Sequence, residues 1–156
     1  DYYYEQHHLG FNYRMNDISA ALGISQLKKL DRFVNRRNQL AKNYDELLSD
    51  LPLKPQKILS NNLSSYHLYV VNIEDDYLKN KSRDNIYNQL LQAGIKTNLH
   101  YLPVHLHPFF KDMGFHKGQF PNAENYAGSA LSLPLYYSIS DEDVSYVNKA
   151  LHSIII

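Results

Sequence analysis

Between residues 18 and 48 apolar side chains recur every three or four positions: Ile18, Ala21, Leu22, Leu27, Leu30, Val34, Ala41, Tyr44 and Leu48. That period places them along one face of a helix. Lys28, Lys29, Arg32, Arg36, Arg37 and Lys42 fall on the opposite face. Asn16 or Asp17 can cap the start, and Gly23 is a soft point early in the run. Pro52 and Pro55 end it, because proline cannot continue a helix and pushes its predecessor toward extended geometry. The spacing predicts an irregular lead-in over residues 1–15 and one long helix over residues 16–51.

The remaining chain, residues 52–156, alternates between periods. Tyr66-His67-Leu68-Tyr69-Val70-Val71-Asn72-Ile73 is aromatic and β-branched, and reads as a central strand. Ser82 caps a helix that carries Ile86, Leu90 and Leu91 inward and closes at Gly94. Residues 95–99 read as a second strand. Residues 100–120, dense in His, Pro, Phe and Gly, read as a functional loop with a short helix inside. Pro121 opens another helix running to about Leu131. Ser140-Asp141-Glu142-Asp143 caps the last one, which lines up Val144, Val147 and Leu151. This order predicts an α+β fold, a small sheet covered by helices. The long helix offers more apolar surface than so small a domain can cover, so part of its stripe is expected at an interface.

Composition narrows the classes. With 156 residues, 44% hydrophobic and 21% charged, the chain can build a real core and is not disordered. Sixteen basic residues balance sixteen acidic ones, which argues against a dedicated nucleic-acid binder. No apolar run reaches the length of a membrane span, and the absence of cysteine fits a cytoplasmic protein. Fourteen tyrosines without a tryptophan suit interfaces and polar pockets, or half-buried core and rim positions.

Eight histidines raise the question of a metal, and His100, His105, His107 and His116 share one loop. No pair sits one helical turn apart with an acid between, and no third ligand falls at a metal-binding spacing, so no metal site is expected. The six glycines form no phosphate-cradling loop. Asn12 and Arg14 are more informative. Two residues apart in extended chain, their side chains share a side, where an amide and a guanidinium can both donate to phosphate or carboxylate. A capping turn with an interface arginine reads the same residues equally well.

Leu9-Gly10-Phe11-Asn12-Tyr13-Arg14-Met15, then Ala20-Ala21-Leu22-Gly23 and Gln26-Leu27, resembles the DegT/StrS family of sugar aminotransferases. Three further segments agree in order: Tyr66-His67-Leu68-Tyr69; Gly94-Ile95 with His100-Tyr101-Leu102-Pro103-Val104-His105; and Leu131-Ser132-Leu133-Pro134-Leu135 leading to Ser140-Asp141. Within the family, residues 22–31 and 118–124 are most similar to members of pseudaminic acid synthesis. Those aminate C4 of a UDP-linked 4-keto-6-deoxy N-acetyl hexosamine. Asn16 departs from the Ser or Thr more usual there.

The resemblance implies the C-terminal portion of a fold-type I, pyridoxal-phosphate-dependent aminotransferase. Its small α/β domain (residues 52–156) holds an antiparallel-containing sheet and is preceded by a long interdomain helix. It implies a cytoplasmic homodimer with active sites at the subunit interface, glutamate as donor and a nucleotide-sugar as acceptor. Asn12 matches the asparagine that reaches the neighbour's cofactor phosphate, and Arg14 a nearby arginine at the interface or on an anionic substrate group. Tyr101 and His105 match the loop approaching the nucleotide-sugar; His67 matches a structural position. No lysine here matches the cofactor-binding lysine, which belongs to a large domain expected before Asp1. No residue of the chain is therefore assigned a catalytic role, and the chain alone is expected to be inactive. A stand-alone nucleotide-sugar-binding or interaction module without chemistry is the alternative.

Overall fold

The computed structural model describes residues 2–79 and 81–156. They fall into two compact units, one ending at Phe33 and the other spanning Val34–Ile156.

In the first unit residues 2–16 form neither helix nor strand, and helix α1 spans Asp17–Leu27. Asn16 is its cap: the Asn16 side-chain oxygen accepts the Ser19 N–H at 2.8 Å. The expected single helix over residues 16–51 is instead two, because α2 restarts at Leu30 and runs to Leu47. Between them the Lys29 N–H bonds the Gln26 carbonyl at 2.9 Å, a three-residue reach that tightens the turn and breaks the ladder. Gly23, the soft point in the sequence, lies in intact helix.

The second unit is built on an antiparallel sheet in the order β1 (Leu53–Pro55), β2 (Tyr69–Ile73), β3 (Ala130–Leu133). Leu53 pairs with Ile73, Val71 with Leu131 and Tyr69 with Leu133. Strand alternation sends Tyr69, Val71 and Ile73 into the main core. There they meet Leu40, Ala41 and Tyr44 of α2, Ile86 and Leu90 of α4 (Arg83–Gln92), and Val144, Val147 and Leu151 of α7 (Asp141–Ile155). The apolar stripe of the sequence is thus used at Ala41, Tyr44 and Leu48, all buried, whereas Ile18, Leu22, Leu27 and Leu30 are exposed. Tyr44 stacks on Tyr69, with ring centroids 4.9 Å apart, and gives its hydroxyl to the Pro134 carbonyl. The Tyr69 hydroxyl donates to Asp45 at 2.6 Å. Burial and the Asp45 carboxylate hold that phenol far above its ordinary pKa, so it stays a donor.

Short elements complete the unit: α3 (Asp75–Leu78), a 3-10 turn (Val104–Leu106), α5 (Pro108–Asp112) and α6 (Pro121–Ser129). The capping residues read from sequence hold, with Ser82 accepting the Asn85 N–H and Ser140 the Asp143 N–H. The strand expected over residues 95–99 is reduced to a single bridge between Asn98 and Ser132. The helix opened by Pro121 stops at Ser129, and the chain passes directly into β3. On the sheet face away from the main core, the Ser129 hydroxyl of α6 donates to Asn72 of β2 at 3.1 Å. α6 therefore backs the sheet beside the loop of residues 100–120.

Candidate functional site

Asn12 and Arg14 do come together. Arg14 Nε donates to Asn12 Oδ1 at 3.0 Å. The cause differs from the extended geometry expected: Asn12 has φ 57°, in the left-handed region that Asn tolerates better than most residues. The bond uses the one acceptor of the pair. It leaves the Asn12 amide N–H groups and the rest of the guanidinium as donors, and both side chains are exposed. No carboxylate occurs in residues 6–16. A set of donors with no competing acid fits a phosphate group.

Tyr101 and His105 belong to the second unit and part company there. Tyr101 is 72% exposed, its ring edge against His100. His105 is only 7% exposed, and its Nε2 lies 2.9 Å from Glu124 Oε1, at the first turn of α6. The resemblance sets His105 in the loop that approaches the nucleotide-sugar, and in the structure its Nε2 faces an internal carboxylate. Glu124 also accepts the Gly118 N–H through both oxygens, at 2.8 and 3.0 Å, and the Phe120 N–H at 3.3 Å. Desolvation pushes its carboxyl pKa up. The bonds from His105, Gly118 and Phe120 and the nearby imidazole outweigh that, and the net shift is downward.

Glu124 escaped the sequence reading because an acid in a helix's first turn looks like an ordinary dipole partner. Its real partners lie 19, 6 and 4 residues away. The second missed group is His100, whose Nδ1 is 2.8 Å from the buried Ser132 hydroxyl and whose carbonyl accepts the Tyr126 hydroxyl at 3.3 Å. His67 lies exposed ahead of β2 rather than within the strand.

Beside His105 a cavity of about 390 Å³ opens among Val104, Phe110, Phe115, Phe120 and Ala123. Its wall is mostly aromatic, with the ring centroids of Phe120 and His105 4.8 Å apart. Among the described residues no cluster of three or more His, Cys, Asp or Glu could hold a metal ion. Likewise, no described helix is long and apolar enough to cross a membrane.

The antiparallel sheet covered by helices is shared with solved sugar aminotransferases. The profile of the DegT/DnrJ/EryC1/StrS aminotransferase family matches residues 1–152, and the chain belongs to that family. A UDP-4-amino-4,6-dideoxy-N-acetyl-beta-L-altrosamine transaminase of Campylobacter jejuni is 34% identical over 148 residues, which are 94% of this chain and 39% of that protein. PseC of Helicobacter pylori, an aminotransferase involved in the biosynthesis of pseudoaminic acid, has a similar structure. Its TM-score is 0.84 at 27% identity, over 99% of this chain and 42% of that one. Spr1654 of Streptococcus pneumoniae, in its PLP form, has a TM-score of 0.82 at 31% identity, over 90% of this chain and 36% of its own. The chain spans about 40% of the length of the curated relatives it matches.

Proposed function

We propose that this chain works as the C-terminal portion of a cytoplasmic, pyridoxal-phosphate-dependent sugar aminotransferase, joined to a large domain that carries the cofactor-binding lysine. The observation that carries the reading is the family match over residues 1–152. The amino group passes, on this reading, from glutamate to the keto carbon of a nucleotide-linked 4-keto-6-deoxy sugar. The UDP-linked N-acetyl hexosamine of pseudaminic acid synthesis is the substrate favoured by the names of the Campylobacter and Helicobacter relatives.

When bound, the cofactor supplies the electron sink for the proton shift between carbon atoms. The residues of this chain bind and orient. Asn12 donates its amide to the cofactor phosphate of the neighbouring subunit in a homodimer, steadied by its bond from Arg14. Arg14 keeps donors for an anionic substrate group or for the interface. Tyr101 faces the nucleotide-sugar, a ring with a polar tip suited to a sugar–nucleotide surface.

Asn12→Ala in the full-length protein tests the assignment. Loss of one donor to a phosphate weakens cofactor binding by about tenfold or more. This is read as the cofactor concentration at half-maximal absorbance of the bound form. Unchanged affinity sinks the role of Asn12, and a full-length wild type without transamination of nucleotide-linked keto sugars sinks the reading itself.

A further inference from the structure

Residues 101–104 run between two fixed points. At one end His100 is held by Ser132 of β3 through its Nδ1, and by Tyr126 of α6 through its carbonyl. At the other end His105 is held by Glu124, also on α6. Between these points Tyr101, Leu102 and Val104 are exposed by 72%, 46% and 62%, while Pro103 turns inward and is buried. Two residues of α6, Glu124 and Tyr126, therefore secure both ends of one short arch. A segment free to move would give up binding energy each time it ordered around a ligand; a tethered one is already in place.

We propose that Glu124 and His105 are positioning residues that fix this arch and so hold the side chains assigned to the nucleotide-linked sugar, Tyr101 foremost, in their binding positions. The recognition half rests on the function proposed above; the tethering half rests on the geometry alone. On this proposal His105 acts through the arch rather than on the substrate. Its imidazole sets Nε2 against Glu124 and packs on Phe120, and the residue is buried apart from the side that lines the neighbouring cavity. Glu124 in turn ties the arch to the turn at residues 118–120 through the Gly118 and Phe120 amides, so that one carboxylate joins both to α6. Gly118 has φ 96°, a conformation that presents its N–H to the carboxylate and that other residues rarely adopt.

The test uses the full-length protein with Glu124→Ala, His105→Ala, His105→Gln and Tyr101→Ala. Glutamine can place an amide N–H where His105 carries Nε2, so it keeps the tether while discarding the imidazole. Hydrogen exchange followed by mass spectrometry should show amides of residues 102–106 and 118–120 exchanging about tenfold faster in Glu124→Ala and His105→Ala. His105→Gln should stay near wild type. In kinetics, KM for the nucleotide-linked sugar should rise about tenfold in Glu124→Ala, His105→Ala and Tyr101→Ala, with the glutamate half-reaction unchanged in Glu124→Ala and His105→Ala.

The double variant Glu124→Ala/His105→Ala should be no worse than either single one. The proposal is overturned if His105→Gln is as impaired as His105→Ala while Glu124→Ala behaves as wild type, because His105 then meets the substrate itself. Unchanged exchange in Glu124→Ala also overturns it. Should Glu124→Ala fail to fold, Tyr126→Phe removes only the tether at His100 and should loosen residues 100–102 alone. A wild type that turns over no nucleotide-linked keto sugar, with the exchange pattern intact, removes the recognition half and leaves the tether standing.

Discussion

His152 is held from two sides on α7. Its Nδ1 is 2.9 Å from the Asn148 carbonyl one turn back, and its Nε2 is 3.0 Å from Asp50, in the connection after α2. The carbonyl favours the protonated ring most, partial desolvation opposes it, and Asp50 adds to the first effect, so the pKa is raised. A group whose folded pKa lies above its unfolded value contributes stability that is complete below the unfolded value, about 6.5. That contribution disappears as pH rises through the folded value. The urea midpoint of wild type should therefore fall between pH 6 and pH 8.5 by more than that of His152→Gln. Parallel curves for the two proteins would show that the pair contributes nothing. Glu124 carries the opposite sign: its lowered pKa stabilises above the unfolded value and is lost as pH falls. These pairs were invisible in the sequence, since Asp50 and His152, or His105 and Glu124, are brought together only by the packing of separate elements. The nearness of Asn12 and Arg14 was legible because they lie two residues apart, whereas the bond between them and the left-handed backbone at Asn12 were not.

At the scale of elements the legible pieces are those with a chemical start and stop. α4 begins where Ser82 accepts the Asn85 N–H and ends where Gly94 turns left-handed at φ 77°. The Ile95 N–H then reaches the Leu90 carbonyl at 2.8 Å and the Gly94 N–H the Leu91 carbonyl at 3.0 Å, satisfying two groups that a helix end leaves open. A Cβ at Gly94 meets nothing within 4 Å. Gly94→Ala therefore isolates the backbone cost of that conformation, about 1 kcal/mol. For a chain of this size that lowers the melting temperature by about 3 °C in calorimetry. No change would mean that the helix end has an alternative to this turn. β1 and β3 had no comparable signal. Leu53–Pro55, directly after Pro52, read as a helix end, and β3 follows α6 with no turn residue between them. The break at Lys28 and Lys29 falls in a run of good helix formers, where local propensity gives no warning.

At the scale of the whole molecule the two units differ in what they cover. Residues 34–156 surround a continuous core, whereas none of residues 2–33 is buried. Phe11 is 82% exposed, Ile18 84%, Leu22 60% and Leu27 68%. Isolated apolar side chains at a surface are ordinary, but a helix and its lead-in with so many, and no covered face, mark an interaction surface. The proposed function supplies two occupants: the large domain of the same polypeptide and the second subunit of a dimer. Prepared without the large domain, the 156-residue chain should therefore self-associate, with a sedimentation coefficient that rises with concentration. Ile18→Glu together with Leu22→Glu separates this from aggregation of a damaged core. Neither residue is buried within the chain, so the melting temperature of unit Val34–Ile156 should stay within about 2 °C of wild type. Association should nevertheless weaken. If the wild-type chain sediments as a monomer at millimolar concentration, this surface needs no cover from a second copy. The interface assigned to Asn12 would then have to be formed with the large domain alone.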